Sequence, residues 1–342
     1  MATSRPQQAG EKARIPAGLF VTHTKLLPCL VLLVAFLAAC GQPAPTPTPT
    51  RAAAILGYPV GVCVDPAGRI YVADAGNNRI VRFDDASTKH WTAYGSLGGG
   101  EGQFKAPIDV FVDSAGKIYV ADQSNHRIVC MDDMSGSNWR ALGNQWTAPG
   151  ASGSERQFNG PTGICVASDG SIYVADKVNH RIVRVDDMIG SNWIAYGSRG
   201  AGIEQFTFPT DIALDSAGHI YIVDTGNSRI VRIDDMTGRN WLAYGSPGGS
   251  VGQLSLPWSL CLDSKGRIYV ADGGNTRIVR MDDMTGSNWT TYGSYGKGAG
   301  QFLSVRDVFV DSAGKIYFST GGIPPRIVRM DDMHGTNLTT FP

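Results

Sequence analysis

The sequence predicts an all-β fold, a six-bladed propeller with four antiparallel strands per blade, and three observations carry it. One motif recurs six times at a nearly constant period, each copy holds four short strand-like runs, and tight turns join the runs. The period is read from the tyrosine of the second run, at Tyr71, Tyr119, Tyr173, Tyr221, Tyr269 and Tyr317. Successive tyrosines stand 48 residues apart except across one interval of 54, which contains an insertion between Gly143 and Gln157. In the second copy the runs are 110–113, 117–122, 127–131 and 139–142, rich in β-branched and aromatic residues. Asp113-Ser114-Ala115-Gly116 joins the first two, its glycine supplying the positive φ of a tight hairpin. Successive runs are therefore antiparallel, which argues against a parallel β-helix. Six such sheets in series fit best as blades around a central channel. The last copy ends at 338–341, aligned with the fourth run, so blade six is expected to close on blade one without a strand borrowed from 51–56.

The N-terminal part has a different composition. Residues 1–39 read as a signal peptide: a basic stretch ending at Lys25, an apolar run of 14 residues from Leu26 to Ala39, and small residues before Cys40. A transmembrane helix needs about 20 apolar residues, so a permanent span is the weaker reading. Leu37-Ala38-Ala39-Cys40-Gly41 resembles the bacterial lipobox, which implies lipidation of Cys40. Residues 40–56 are then the lipidated cysteine and a Pro/Thr-rich linker of extended chain, and 57–342 the propeller. The expected location is the bacterial cell envelope, anchored to a membrane and facing outside the cytoplasm.

Charge narrows the function. The whole chain has 30 basic and 30 acidic residues; beyond residue 50 there are 26 and 29, a net charge of minus three. Nucleic-acid binding needs a basic excess to neutralise phosphates, and none is present.

The repeat resembles the NHL family. The resemblance rests on the Tyr and Asp of the second run, seen at Tyr119 and Asp122, and on Asn125-His126-Arg127-Ile128 opening the third. Five copies keep this frame. The sixth departs: Ser319 and Thr320 replace Ala and Asp, and the turn 321–325 is one residue longer. Membership implies a propeller fold; members range from RNA-binding modules to receptor sensor domains to a lyase, so it leaves function open.

Residues present in every blade cannot define a single site. The arginine of the third run (Arg79, Arg127, Arg181, Arg229, Arg277, Arg326) and the aspartate of the second (Asp74, Asp122, Asp176, Asp224, Asp272) bracket one turn and are expected to clamp it. Paired aspartates such as Asp132-Asp133 end each third run and are expected to cap turns, since calcium loops need more ligands at alternating positions. The tryptophans at 91, 139, 193, 241 and 289 read as outer-strand packing. Cys63, Cys165 and Cys261 share one place on the first run of blades one, three and five, where the others carry Phe111, Ala213 and Phe309; they are expected to be small buried hydrophobes rather than a three-thiolate metal site.

The blade-specific residues gather on the loops joining fourth to first and second to third strands. Entering the first run stand Gly61, Asp109, Gly163, Asp211, Ser259 and Asp307, with Trp258 and Arg306 beside them and His126 and His180 on neighbouring second-to-third turns. A ligand site is therefore expected at this channel mouth, formed by Asp109, Asp211, Asp307, Arg306, Trp258, His126 and His180. Three like charges around a narrow channel call for a neutralising cation or a cationic ligand group, against the alternative that each Asp caps its own strand. No organic cofactor is expected, though the channel offers a place for a divalent cation. The expected function is a monomeric binding or sensor scaffold recognising a protein or small molecule, the alternative a metal-dependent lyase or hydrolase of the propeller type. A third histidine equivalent to His126 and His180, which would complete the usual three-ligand catalytic zinc site, is missing.

Overall fold

The computed structural model describes residues 56–143, 156–322 and 324–341. The signal peptide, Cys40, the linker to residue 55 and most of the insertion after Gly143 lie outside them. Six antiparallel four-stranded sheets follow one another, each pairing its strands in chain order. The innermost strands are Pro59–Val64, Pro107–Val112, Pro161–Val166, Pro209–Leu214, Pro257–Leu262 and Ser304–Val310. In blade two, Ile118–Asp122, Arg127–Met131 and Arg140–Gly143 complete the sheet. The first strand starts earlier than its β-branched run because proline is tolerated as a strand's first residue. The hairpin forms as its residues dictate. Gly116 has φ +85° and donates its N–H to the Asp113 carbonyl at 2.9 Å, while the Asp113 carboxylate accepts the N–H groups of Ala115 and Lys117.

Both faces of each sheet are covered by a neighbouring blade, which is why second strands such as Ile118-Tyr119-Val120-Ala121-Asp122 are buried throughout. Tyr71, Ala73 and Ile80 of blade one pack with Val110, Val112, Ile118 and Val129 of blade two. The ring closes by the same packing: Tyr317, Ile327 and Phe341 of blade six meet Val62, Ile70, Val72 and Phe83 of blade one. Thr339–Phe341 pairs with Arg326–Met330, so among the described residues blade six is built from its own four strands.

The connectors between blades have an order that the strand pattern does not announce. Ser96–Leu97 pairs in parallel with Gln103–Phe104, and Ser198–Arg199 and Ser294–Tyr295 pair likewise with Gln205–Phe206 and Gln301–Phe302. Each connector delivers one buried apolar plug: Leu56, Phe104, Phe158, Phe206, Leu254 or Phe302. Leu56 thus occupies the first plug position, one residue before the expected start of the propeller. The outer-strand tryptophans cover these plugs, with Trp139 5.3 Å from Phe104, Trp193 4.7 Å from Phe158 and Trp241 5.3 Å from Phe206.

The Asp–Arg clamp ties the connector as well as the turn. Asp122 accepts the Lys105 N–H at 2.7 Å and bonds Arg127 Nε at 2.8 Å. The guanidinium then donates to the carbonyls of Gly99, Gly100 and Gln103. Arg229 and Arg277 repeat this on their own connectors. The paired aspartates cap turns as expected: Asp133 accepts the Ser135 N–H, and Asp132 the Asn138 amide.

Candidate functional site in the central channel

Every inner strand carries a β-bulge at its entry, which takes a residue out of the ladder. A buried backbone N–H there needs an acceptor. The six equivalent N–H groups, of Val62, Val110, Ile164, Ile212, Leu260 and Val308, are all accepted by three carboxylates, two apiece. Asp109 takes Val110 (2.8 Å) and Ile164 (2.9 Å), and Asp211 takes Ile212 and Leu260 (both 2.8 Å). Asp307 takes Val308 (2.9 Å) and Val62. Each carboxylate caps its own strand and the strand of the next blade, so only alternate blades need one. The intervening positions make room. A Cβ on Gly61 would stand 2.6 Å from Asp109 Cα, and one on Gly163 2.3 Å from Asp211 Oδ1. Ser259, third in that series, donates its hydroxyl to Asp307.

Two residues along, on the same face of each strand, the alternation reverses. Cys261 Sγ accepts the Val310 N–H at 3.4 Å, and Cys63 and Cys165 face the N–H groups of Val112 and Leu214. The cysteines are free thiols that join seams, a role beyond that of small hydrophobes. Burial pushes their pKa values far up, to about 12 for Cys165 and Cys261, so they stay protonated.

The carboxylate and thiol rings border a cavity of 180 Å³, walled also by Phe111, Leu214, Leu262 and Phe309, with no Lys, Arg or His in its lining. Burial raises the Asp109 carboxyl to about 6. Asp211 is held well above the carboxylate range by burial and then by the charges of Asp109 and Asp307. Asp307 rises to about 8, through burial and then Asp109, against the opposing bonds from Ser259, Val62 and Val308.

Across the carboxylate ring, toward the fourth-to-first loops, only 20 Å³ remains. That mouth is covered by cation–aromatic pairs. Lys177 Nζ lies 4.9 Å from the Trp258 ring centre, and the Arg306 guanidinium lies 3.9 Å from that of Tyr58 and donates to its hydroxyl. Arg306 therefore engages Tyr58, and the roomier space lies on the far side of the ring from the expected mouth. Asp109, Asp211, Asp307, Trp258 and Arg306 come together around the axis.

His126 and His180 line neither cavity. Both occupy the left-handed turn position (φ 53° and 55°), and their Nδ1 atoms accept the N–H groups of Gly160 and Phe208. Asn78 does the same for Ala106 in blade one, so here histidine serves as an asparagine equivalent. Sequence reasoning passed over Lys177 and Tyr58. The signal for Lys177 was available, since blades one, two, four and five carry Ala75, Gln123, Thr225 and Gly273 at that position.

Comparison with known proteins agrees with this architecture. The NHL repeat model matches residues 56–83, 104–131, 158–185, 206–233 and 254–281, one segment in each of the first five blades. No curated protein matches the chain. Among solved structures, virginiamycin B lyase from Staphylococcus aureus is similar over 84% of this chain and 84% of its own, at 16% identity and a TM-score of 0.56. A putative gluconolactonase is similar over 84% and 91% (12% identity, TM-score 0.58). A nidogen/laminin complex contains a chain similar over 70% and 80% (20% identity, TM-score 0.52). At these identities the likeness is one of fold.

Proposed function

Because the chain belongs to the NHL-repeat β-propellers, we propose that it is a binding scaffold whose channel receives a cationic group, held outside the cytoplasm by lipid on Cys40. The observation that supports the binding reading is the 180 Å³ cavity bordered by Asp109, Asp211 and Asp307 with no basic side chain in its lining. Each carboxylate oxygen has more than one lone pair, and the backbone N–H bonds leave acceptor capacity for a donor on the axis. An ammonium group on the axis would favour the ionised forms and lower the raised pKa values. Binding should therefore tighten as pH rises. The lyase alternative needs a clustered donor set. Among the described residues no group of three or more His, Cys, Asp or Glu stands close enough to hold a metal.

The channel reading is tested by thermal melting of wild type and Asp211→Asn with methylammonium at pH 5 and pH 8.5. The expected result is ligand stabilisation in wild type, larger at pH 8.5 and reduced in the variant. Equal shifts in both proteins, or none in either, would overturn it. Anchoring is tested separately by cell fractionation: Cys40→Ser should move the protein from membranes to the soluble fraction. Membrane retention of that variant would count against the lipid anchor and leave the channel reading untouched.

A further inference from the structure

Blade six lacks the clamp of the other five, and its arginine is left over. Thr320 is the cross-strand partner of Arg326, as Asp272 is of Arg277 in blade five. The asparagine that reaches the connector carbonyl in blades two, four and five, through Asn125, Asn227 and Asn275, is also missing from the turn 321–325. The connector before blade six keeps its shape regardless. Gly298 donates to Gln301 Oε1 at 2.9 Å and Gly296 to the Phe302 carbonyl at 3.0 Å, matching Gly100 and Gly98 before blade two. Yet the Arg326 side chain makes no ion pair or hydrogen bond among the described residues. A cavity of 250 Å³ stands between the arginine and the connector, lined by Lys297, Gln301, Thr320, Gly321, Pro324 and Arg326, with no acidic side chain. Lys297 is itself particular to this connector, its equivalents being Gly99, Ala201 and Gly249.

A guanidinium presents a fork of donors that fits a carboxylate, and a nearby ammonium adds a second positive charge. In blades one to five that carboxylate belongs to the chain. We propose that in blade six it is supplied from outside, and that this cavity binds the carboxylate of a small organic acid beside Arg326. The volume is below that of drug-sized pockets, which sets the ligand in the size range of a short-chain mono- or dicarboxylate. Lys297 favours an acid with a second anionic group. The site lies on the blade-six connector and is independent of the channel.

The test is calorimetric titration of the full chain with succinate. Saturable binding is expected in wild type. Thr320→Asp should return an internal partner to Arg326 and weaken succinate binding about tenfold or more, and Arg326→Gln should do the same. The absence of saturable binding in wild type, or unchanged affinity in a folded Thr320→Asp protein, would overturn the proposal. Should both of those variants fail to fold, Lys297→Gln decides. Lys297 lies exposed on the connector, and loss of its charge should weaken succinate several-fold, whereas unchanged affinity would overturn the site.

Discussion

Arg127→Met is expected to destabilise the protein by about 3–5 kcal/mol, the range found when one partner of a buried ion pair is removed. Arg127 and Asp122 are both fully buried. The guanidinium bonds Asp122 and three connector carbonyls, and lies 5.6 Å from the Trp139 ring centre. Methionine fills much of the same space but donates nothing. Asp122 would keep only the Lys105 N–H and the Asn125 amide, and burial already raises its pKa above the ordinary carboxylate value. The three carbonyls would lose a donor in a place that water reaches poorly. Urea denaturation followed by tryptophan fluorescence measures the change. In the double variant Asp122→Leu/Arg127→Met much of the loss should return, because no uncompensated charge is then buried. A loss below about 1 kcal/mol in Arg127→Met would mean that the clamp contributes no more than an exposed pair.

The channel carboxylates are expected to make folding stability fall as pH rises from about 4 to 8, by a few kcal/mol in sum. In the unfolded chain each releases its proton near the ordinary aspartate value of 3.8, whereas in the folded protein Asp109 holds its proton to about 6 and Asp307 to about 8. Between those values the folded state binds more protons than the unfolded one, so raising the pH favours unfolding. Stability from this source is complete below about 4 and lost once pH passes the folded values. The groups facing the ring are the three aspartates themselves and the protonated thiols of Cys63, Cys165 and Cys261; Arg306 is turned to Tyr58. Turn aspartates such as Asp133, Asp235 and Asp283 act oppositely in another window. Hydroxyl and backbone bonds lower their pKa values, and their contribution disappears only as pH falls below the carboxylate range. The two sources separate in the difference between wild type and Asp307→Asn, whose amide does not titrate. That difference, from denaturant melts between pH 5 and 9, should shift in favour of the variant as pH rises. A difference constant with pH would refute the assignment.

What could be read in the sequence was what repeats within a short stretch. The tyrosine period, the four runs, the Asp-Ser-Ala-Gly hairpin and the Asp–Arg clamp are local patterns, and each formed as its residues require. The expected site was read less well. The alternation Gly61, Asp109, Gly163, Asp211, Ser259, Asp307 was visible, but its reason spans blades. The partners of these carboxylates lie 55, 49 and 245 residues away, at Ile164, Leu260 and Val62. His126 and His180 stood out because they differ from their equivalents, and difference alone could not separate a ligand from a turn residue. A left-handed turn position suits Asn and His alike, and their bonds to the next connector are made only once the blades are side by side.

The number of blades, the strands in each and the residues every blade shares are legible in the chain, because strand propensity, turn chemistry and burial on both faces act over a few residues and repeat. What the exceptions do depends on the assembled ring. Closing the ring brought six unpaired N–H groups to one axis and assigned them to three carboxylates, left 180 Å³ on one side of that ring and 20 Å³ on the other, and set Arg326 beside a 250 Å³ cavity with no carboxylate of its own. Each of these follows from which strands meet across a seam, a matter fixed by the packing of whole blades and by no single repeat.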